Sequence, residues 1–324
     1  MKAASALRLS ASRVRSLAWE DGDLVDWVDG GRRHLLDGST IESYVRWGFA
    51  FDSALTLPES GYAVIYTRLG TKGLVLKGGR ILREINRSYY HAEVYEYPIA
   101  LGRLPSGREV LVHCPNDYCR LEIEDLATGQ VLTNAVQRTP GDFFHSRLSV
   151  STDGRFLISA GWVWHPIDQV QIYDLEAALA DPRQLDGCGI DLKAWADSSS
   201  ATFLADGRVA IWLMGDIDDE DTPTKPGELR IIEPLRPADT TIVSSVGCLG
   251  TILAVDDHVL ALHDHPRLIE LKTGIVVRSW PDVRSGRQTS SILLSNEIPP
   301  PVALDAANRR CAIADDTGIT VIRW

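Results

Sequence analysis

One pattern recurs along the whole chain and limits what it can fold into: a polar turn followed by a short apolar run that is typical of a β-strand. Five of the seven turns contain glycine, and three of them carry Asp-Gly, a strong hairpin signal. The seven copies are EDGDLVDWV (20–28), ESGYAVIYT (59–67), PSGREVLVH (105–113), TDGRFLISA (152–160), ADGRVAIWL (205–213), VDDHVLALH (255–263) and AANRRCAIA (306–314). They are about 48 residues apart on average, which predicts one supersecondary unit repeated seven times.

A repeat of this length with four short strands is typical of a propeller blade. In the third and fourth units, further strands flank the turn on both sides, as in SRLSVS (146–151) and QVQIYDL (169–175). Helical periodicity is confined to DLEAALADP (174–182), which argues against a helical solenoid or a parallel sheet with crossover helices. We therefore predict an all-β chain in which residues 1–324 form one seven-bladed β-propeller of four-stranded antiparallel blades. Six blades is the alternative, because the first unit is short and the seventh is weakly marked.

The fourth unit resembles a known propeller family. SVSTDGRFLISA (149–160) is similar to the inner two strands of a WD-repeat blade. The segments IYDLEAA (172–178) and IEDLATG (123–129) resemble the Trp-Asp ending of that family's third strand, with Tyr173 and Glu124 in the place of Trp. His145 precedes Asp174 at a separation usual for the family's His and Asp. The resemblance is strongest in residues 97–178 and implies the propeller architecture, since no unit has a full Gly-His and Trp-Asp pair.

The ring needs a closing strand. GITVIRW (318–324) is only the third strand of unit seven, and an open edge there would favour aggregation. SALRLS (5–10) precedes the first strand of unit one, RSLAWE (15–20). We predict that this N-terminal segment is the outer strand of the seventh blade and closes the ring.

Composition argues against several classes of function. The formal net charge is −11 and the basic residues form no stripe, so no nucleic acid partner is expected. The chain has no apolar run of about 18 residues for a membrane span, and residues 1–15 do not resemble a signal peptide. Its five cysteines are too scattered for a disulfide framework or a zinc site. We expect a cytoplasmic monomer without metal or cofactor.

Six of the eight histidines map to one face of the predicted propeller. Because strand direction alternates, the loop between the second and third strands of a blade lies on the same face as the link from the preceding blade. Such segments, or the ends of the second strands that lead into them, carry His91, His113, His145, His165, His263 and His265. We call this surface the histidine face. The WD-repeat resemblance implies that His145, and by position His91, brace a blade through hydrogen bonds.

The same loops carry aromatic and charged side chains suited to an interaction site. No G-x-S-x-G elbow, P-loop, G-x-G-x-x-G or H-E-x-x-H motif is present. The leading prediction is a non-catalytic platform that binds a protein partner, and the acidic loop 215–227 favours a basic one. The alternative is a hydrolase or lyase with His113, His165 or His263 as acid or base in an axial pocket. The candidate binding residues are Arg68, Arg87, Tyr90, His91, His113, Asp117, Tyr118, His145, Arg147, Trp164, His165, His263 and His265.

Overall fold

The seven repeats form seven antiparallel sheets, one for each predicted blade. The computed structural model describes residues 6–164, 166–192, 197–214, 227–243, 247–293 and 298–324. First strands of adjacent blades contact one another, as Ala18–Glu20 contacts Ser53–Leu57, so the first strands surround the axis of the ring. The prediction of a seven-bladed propeller is confirmed, and the six-bladed alternative is wrong.

Five blades have four strands, in order from the axis outward. They are Ala18–Glu20, Asp23–Asp26, Arg32–His34 and Thr40–Ile41 in blade 1; Ser53–Leu57, Tyr62–Tyr66, Lys72–Lys77 and Arg80–Asn86 in blade 2; Ser200–Phe203, Val209–Trp212, Leu229–Glu233 and Arg236–Val243 in blade 5; Ile252–Val255, His258–Ala261, Arg267–Glu270 and Val276–Ser279 in blade 6; and Val302–Asp305, Arg310–Asp315, Gly318–Arg323 and Ala6–Ser10 in blade 7.

Blades 3 and 4 have three named strands and a short outer segment. Their strands are Ile99–Arg103, Glu109–His113 and Glu122–Asp125 in blade 3, and Leu148–Val150, Phe156–Val163 and Ile167–Asp174 in blade 4. The outer position is marked by single bridges, Glu124 with Val131 and Ile172 with Gly189. Among the described residues, the helical segments are one α-helix, Leu175–Ala180, and the short 3-10 helices Pro58–Ser60 and Pro182–Leu185. No helix in the described part of the chain has the length and apolar character needed to cross a membrane.

All seven predicted turns join the first and second strands of a blade. Gly154 shows why glycine is required at one of them. Its φ is +73°, and a Cβ placed there would lie 1.7 Å from the carbonyl oxygen of Arg103 in the neighbouring blade. Glycine therefore provides both the left-handed turn and the close approach of blades 3 and 4.

Adjacent blades pack through the side chains that alternate along their strands. One buried cluster joins Val110, Val112 and Ile123 of blade 3 to Leu157 and Tyr173 of blade 4. Alternation places one set of side chains toward each neighbour, so every blade is covered on both faces.

The N-terminal strand closes the ring as predicted. Ala6–Ser10 pairs antiparallel with Gly318–Arg323 over five residue pairs. The Arg8 guanidinium donates to Asp315 at 2.6 and 2.8 Å, and it holds the pKa of that carboxyl well below its usual range. The first and last described strands are thereby joined by a ladder and an ion pair.

One inter-blade link leaves its own blades and reaches the opposite side of the ring. We call residues 280–293 and 298–301, between blades 6 and 7, the crossing link. The Leu293 amide donates to the Val94 carbonyl at 2.7 Å, and Ile292 forms a bridge with Tyr95. The Ser291 amide donates to the buried Asp168 carboxylate at 2.9 Å. The crossing link therefore connects blades 6 and 7 to the histidine face of blades 3 and 4.

Candidate functional site

Seven rings of described residues meet on the histidine face where blades 2, 3 and 4 adjoin. Two inter-blade links, the end of the second strand of blade 4, and the loops after the second strands of blades 3 and 4 bring them together. We call this group the aromatic cluster, and its members are Tyr90, His91, Tyr95, Tyr118, Phe144, Trp162 and Trp164.

Phe144 is the centre of the aromatic cluster. Its ring lies nearly parallel to Trp162, with centroids 3.9 Å apart and planes at 9°. Tyr118 stacks on it at 4.3 Å, and Trp164 meets it edge-on at 5.3 Å. Stacked and edge-to-face pairs at these separations are favourable beyond the area they bury. The cluster is therefore a rigid arrangement of rings on a fully buried base.

The outer part of the cluster is open to solvent. Tyr90 is 47% exposed and Trp164 is 42% exposed, although both contact the buried rings. The neighbouring Tyr89 is 81% exposed. The Tyr118 hydroxyl donates to Asp142 at 2.7 Å; partial removal from water and that carboxylate raise the pKa of Tyr118 and keep it neutral. Asp117 is exposed beside it.

Arg87 lies beneath the cluster and not on its surface. Its buried guanidinium donates to the carbonyl oxygens of Gly70 at 2.7 Å, Ala92 at 2.5 Å and Tyr95 at 2.9 Å. It also lies over the Tyr95 ring, 4.6 Å from the centroid. Arg87 thus fixes the link that carries Tyr90 and His91, which makes it a positioning residue.

The structure buries two of the predicted histidines. Nδ1 of His145 lies 3.1 Å from the Ser159 hydroxyl, and burial lowers the pKa of His145 to about 3. Its ring is 5.9 Å from that of Tyr173, the residue in the position of the family's Trp. His145 therefore connects the inter-blade link to the second and third strands of blade 4, as the WD-repeat resemblance implies.

His113 is buried within blade 3. Its Nε2 lies 3.2 Å from Oε2 of Glu124, whose other oxygen accepts from Arg83 of blade 2. Burial acts to raise the pKa of Glu124, but His113 and Arg83 outweigh it and hold that pKa below its usual range. His113 is thus part of a buried polar contact between two blades.

The remaining predicted residues lie elsewhere. His263 and His265 are half-buried on the blade 6 loop, away from blades 3 and 4. Arg68 and Arg147 line a cavity of about 250 Å³ near the axis. None of the described residues lining that cavity is a histidine. His165 lies outside the described residues, as does the acidic loop 215–227 except for Gly227.

Phe144 and the crossing link were not predicted from the sequence. GDFFHSR (141–147) gives no alternating or helical pattern, so nothing local distinguishes Phe144 from Phe143. The only signal in the sequence was the position of Phe144 beside His145 on a link that enters blade 4. Contacts between residues distant in sequence, such as Ser291 with Asp168, leave no such signal.

Comparisons with known proteins support the architecture. No model of a protein family matches the chain, and no curated protein matches it. Among solved structures, a streptogramin B lyase is 10% identical with a TM-score of 0.58, and the match covers 98% of this chain and 97% of that one. A chain of the mitotic checkpoint complex is 10% identical with a TM-score of 0.60, covering 99% and 91%. The computationally designed Ika8 protein is 14% identical with a TM-score of 0.50, covering 98% of each.

These likenesses establish the class of protein. The chain is a seven-bladed β-propeller and resembles WD-repeat propellers at the level of architecture. Because 844 chains of solved structures match and include proteins as different as a lyase and a checkpoint assembly, the fold does not select a function. Function has to be argued from the site.

Proposed function

We propose that this propeller is a non-catalytic binding protein whose histidine face binds a protein partner through the aromatic cluster. The observation that carries the proposal is the pair Tyr90 and Trp164, which are large, partly exposed and fixed by buried rings. Residues with this combination of size, rigidity and access are typical of interface hot spots. Since their conformations are already restricted, less side-chain entropy is lost on binding.

The charges around the cluster favour a basic partner. Glu93, Asp117 and Asp142 are exposed on the same links and loops as the aromatic rings. The whole chain has a formal net charge of −11, which attracts basic proteins over longer distances. An aromatic centre with an acidic rim is complementary to an apolar or aromatic anchor flanked by Lys or Arg.

Binding is favoured over acid–base catalysis because two of the described histidines are buried and no described histidine lines the axial cavity. His113 and His145 are buried against Glu124 and Ser159, and the axial cavity is lined by arginines. A general acid or base has to reach the proton that it transfers. We further propose that residues 1–324 act as one domain and as a cytoplasmic monomer, which light scattering of the purified protein and localisation of the tagged chain would test.

The decisive experiment compares three tagged proteins: wild type, Trp164→Ala and Tyr90→Ala. Partners captured from native extract by wild type should be lost with both variants. With a purified partner, each substitution should weaken Kd by about 30-fold or more. Tyr44→Ala is the matched control, because Tyr44 is a 94% exposed aromatic on the link between blades 1 and 2.

The same partners captured equally by wild type, Trp164→Ala and Tyr90→Ala would refute the proposal. Far-ultraviolet circular dichroism and melting curves establish that each variant is folded. Loss of binding with Tyr44→Ala but not with Trp164→Ala would move the site to blades 1 and 2.

A further inference from the structure

The axial cavity lies between the first strands of blades 6 and 7 and the crossing link. Its volume is about 250 Å³, below the range of about 300–1,000 Å³ that is common for drug-sized ligands, so it suits a small molecule. One part of its wall is polar and includes Arg68, Arg147, Glu96 and Gln288. This cavity is separate from the aromatic cluster.

The Arg147 side chain lines the cavity, and its guanidinium contacts only neutral groups. Its Nη1 donates to the Ser199 carbonyl oxygen, and its Nη2 donates to the Thr251 hydroxyl at 2.9 Å. No carboxylate of a described residue forms a contact ion pair with it. Burial lowers the pKa of Arg147, although Glu96 and Asp168 act in the opposite direction from further away. Arg147 is half-buried, and a guanidinium partly removed from water without a contacting counter-ion is stabilised when an anion binds.

Arg68 repeats this arrangement across the cavity. Its Nε donates to the Ser53 hydroxyl at 3.2 Å, and its Nη1 donates to the Pro299 carbonyl oxygen at 3.2 Å. Its backbone amide donates to Asp52 Oδ1 at 2.7 Å, but no carboxylate of a described residue forms a contact ion pair with its guanidinium. Glu96, the carboxylate on the cavity wall, already accepts from Gln288 Nε2 at 2.7 Å.

The rest of the wall is apolar. It is formed by Leu253, Leu262, Val302 and Leu304, together with two prolines of the crossing link. Inorganic phosphate could contact the arginines but would leave these side chains without a partner. A ligand with an anionic head and a short apolar body would use both parts of the wall.

We propose that the axial cavity binds a small organic carboxylate, with its carboxylate group at Arg68 and Arg147 and its apolar portion against Leu253, Val302 and Leu304. Arginine suits this role because its planar donors match the geometry of a carboxylate. The pocket is independent of the protein-binding proposal.

The test uses the full chain and measures binding of acetate, butyrate, hexanoate and inorganic phosphate by calorimetry and thermal shift. Affinity should rise from acetate to hexanoate, because longer chains bury more apolar surface. Hexanoate should raise the melting temperature more than phosphate at the same concentration and ionic strength. Arg68→Gln and Arg147→Gln should each weaken hexanoate binding by about 10- to 100-fold.

Arg103→Gln is the matched control. Arg103 lines a cavity on the opposite face, where it is paired with Glu59 and Glu109, so its removal should leave hexanoate affinity unchanged. If Arg147→Gln does not fold, Arg68→Gln decides the question, because the hydrogen-bond partners of the Arg68 guanidinium are also neutral. No hexanoate binding at millimolar concentration, equal affinity in the arginine variants, or tighter binding of phosphate than of hexanoate would overturn the proposal.

Discussion

Phe144 and Trp164 are aromatic residues of the histidine face that contact each other and are nevertheless in different situations. Phe144 is fully buried under Trp162 and Tyr118, whereas Trp164 packs on Phe144 and is 42% exposed. Both are large aromatic side chains on connections at the same face. What differs is whether other side chains cover the ring. The buried layer of the cluster, Tyr95, Phe144 and Trp162, is expected to stabilise the fold. The exposed layer, Tyr90 and Trp164, is available to a partner.

The largest effect is expected from the buried layer. Phe144→Ala removes the central ring of the cluster and should lower the free energy of unfolding by about 3–5 kcal/mol. Urea denaturation of wild type and variant measures this difference. Tyr89→Ala is the control, because Tyr89 is 81% exposed and its truncation should change stability by less than about 0.5 kcal/mol. Similar losses in the two variants would remove the distinction between the layers.

Loss of the hydrogen bond between His145 and Ser159, beside the buried layer, should have the next largest effect on stability. His145→Ala leaves the buried Ser159 hydroxyl without its partner and should cost about 1–3 kcal/mol. A double-mutant cycle with Ser159→Ala should give a coupling of at least about 0.5 kcal/mol. Strict additivity would show that the two side chains do not act together.

The lowered pKa of His145 also predicts how the stability of the protein changes at acid pH. Its pKa is lowered to about 3 in the folded protein by burial, while the ordinary value is 6.5. Between these values the unfolded chain binds more protons, so stability should fall as pH drops below about 6.5. His145→Asn should reduce that slope. An unchanged pH dependence would contradict the role of His145.

Ionisation of Asp197 is expected to have a smaller effect on stability than that of His145, and with the opposite dependence on pH. Burial, and secondly the charge of Asp168, raise the pKa of Asp197 to about 6. The folded protein then binds more protons than the unfolded chain between the ordinary value of 3.8 and about 6, so stability falls as pH rises through this window. Asp197→Asn keeps an oxygen that can accept from the Asp168 amide and should raise the melting temperature at pH 7 but not at pH 4. A lower melting temperature at pH 7 would contradict this.

The smallest effect on stability is expected from the exposed layer. Trp164→Ala should lower the free energy of unfolding by less than about 1 kcal/mol, because much of the ring is already in water. Chemical denaturation and partner binding should be measured on the same sample. A loss comparable to that of Phe144→Ala would mean that Trp164 is packing and that the segment GWVWHP (161–166) belongs to the core.

The repeats made most of the fold predictable from sequence. Each blade begins with a local hairpin, and its turn residues and alternating apolar positions are encoded within a few neighbours. Closure by Ala6–Ser10 was predictable because topology left one strand without a partner. The outer segments of blades 3 and 4 were less predictable, since each is marked by a single bridge at Val131 or Gly189.

The candidate site was only partly predictable. Alternating strand direction placed Tyr90, Tyr118 and Trp164 on one face, but it could not tell which side chains would be covered. Arg87 was expected at the surface and is buried by carbonyl oxygens of its own link. The neutral surroundings of Arg147 depend on Thr251, far away in the sequence. Burial of this kind is a property of the assembled ring, and local patterns do not contain it.

Ring closure has a consequence for the order of events during synthesis. Arg8 and its partner Thr320 are 312 positions apart. At about 5–20 residues per second, the strand Ala6–Ser10 is synthesised about 15–60 seconds before Gly318–Arg323. During that time blades 1 to 6 can form from local hairpins while this early strand stays unpaired. Only Leu9 of the strand becomes buried, and Arg8 discourages pairing with other chains. We expect docking of this strand to be the last step of folding.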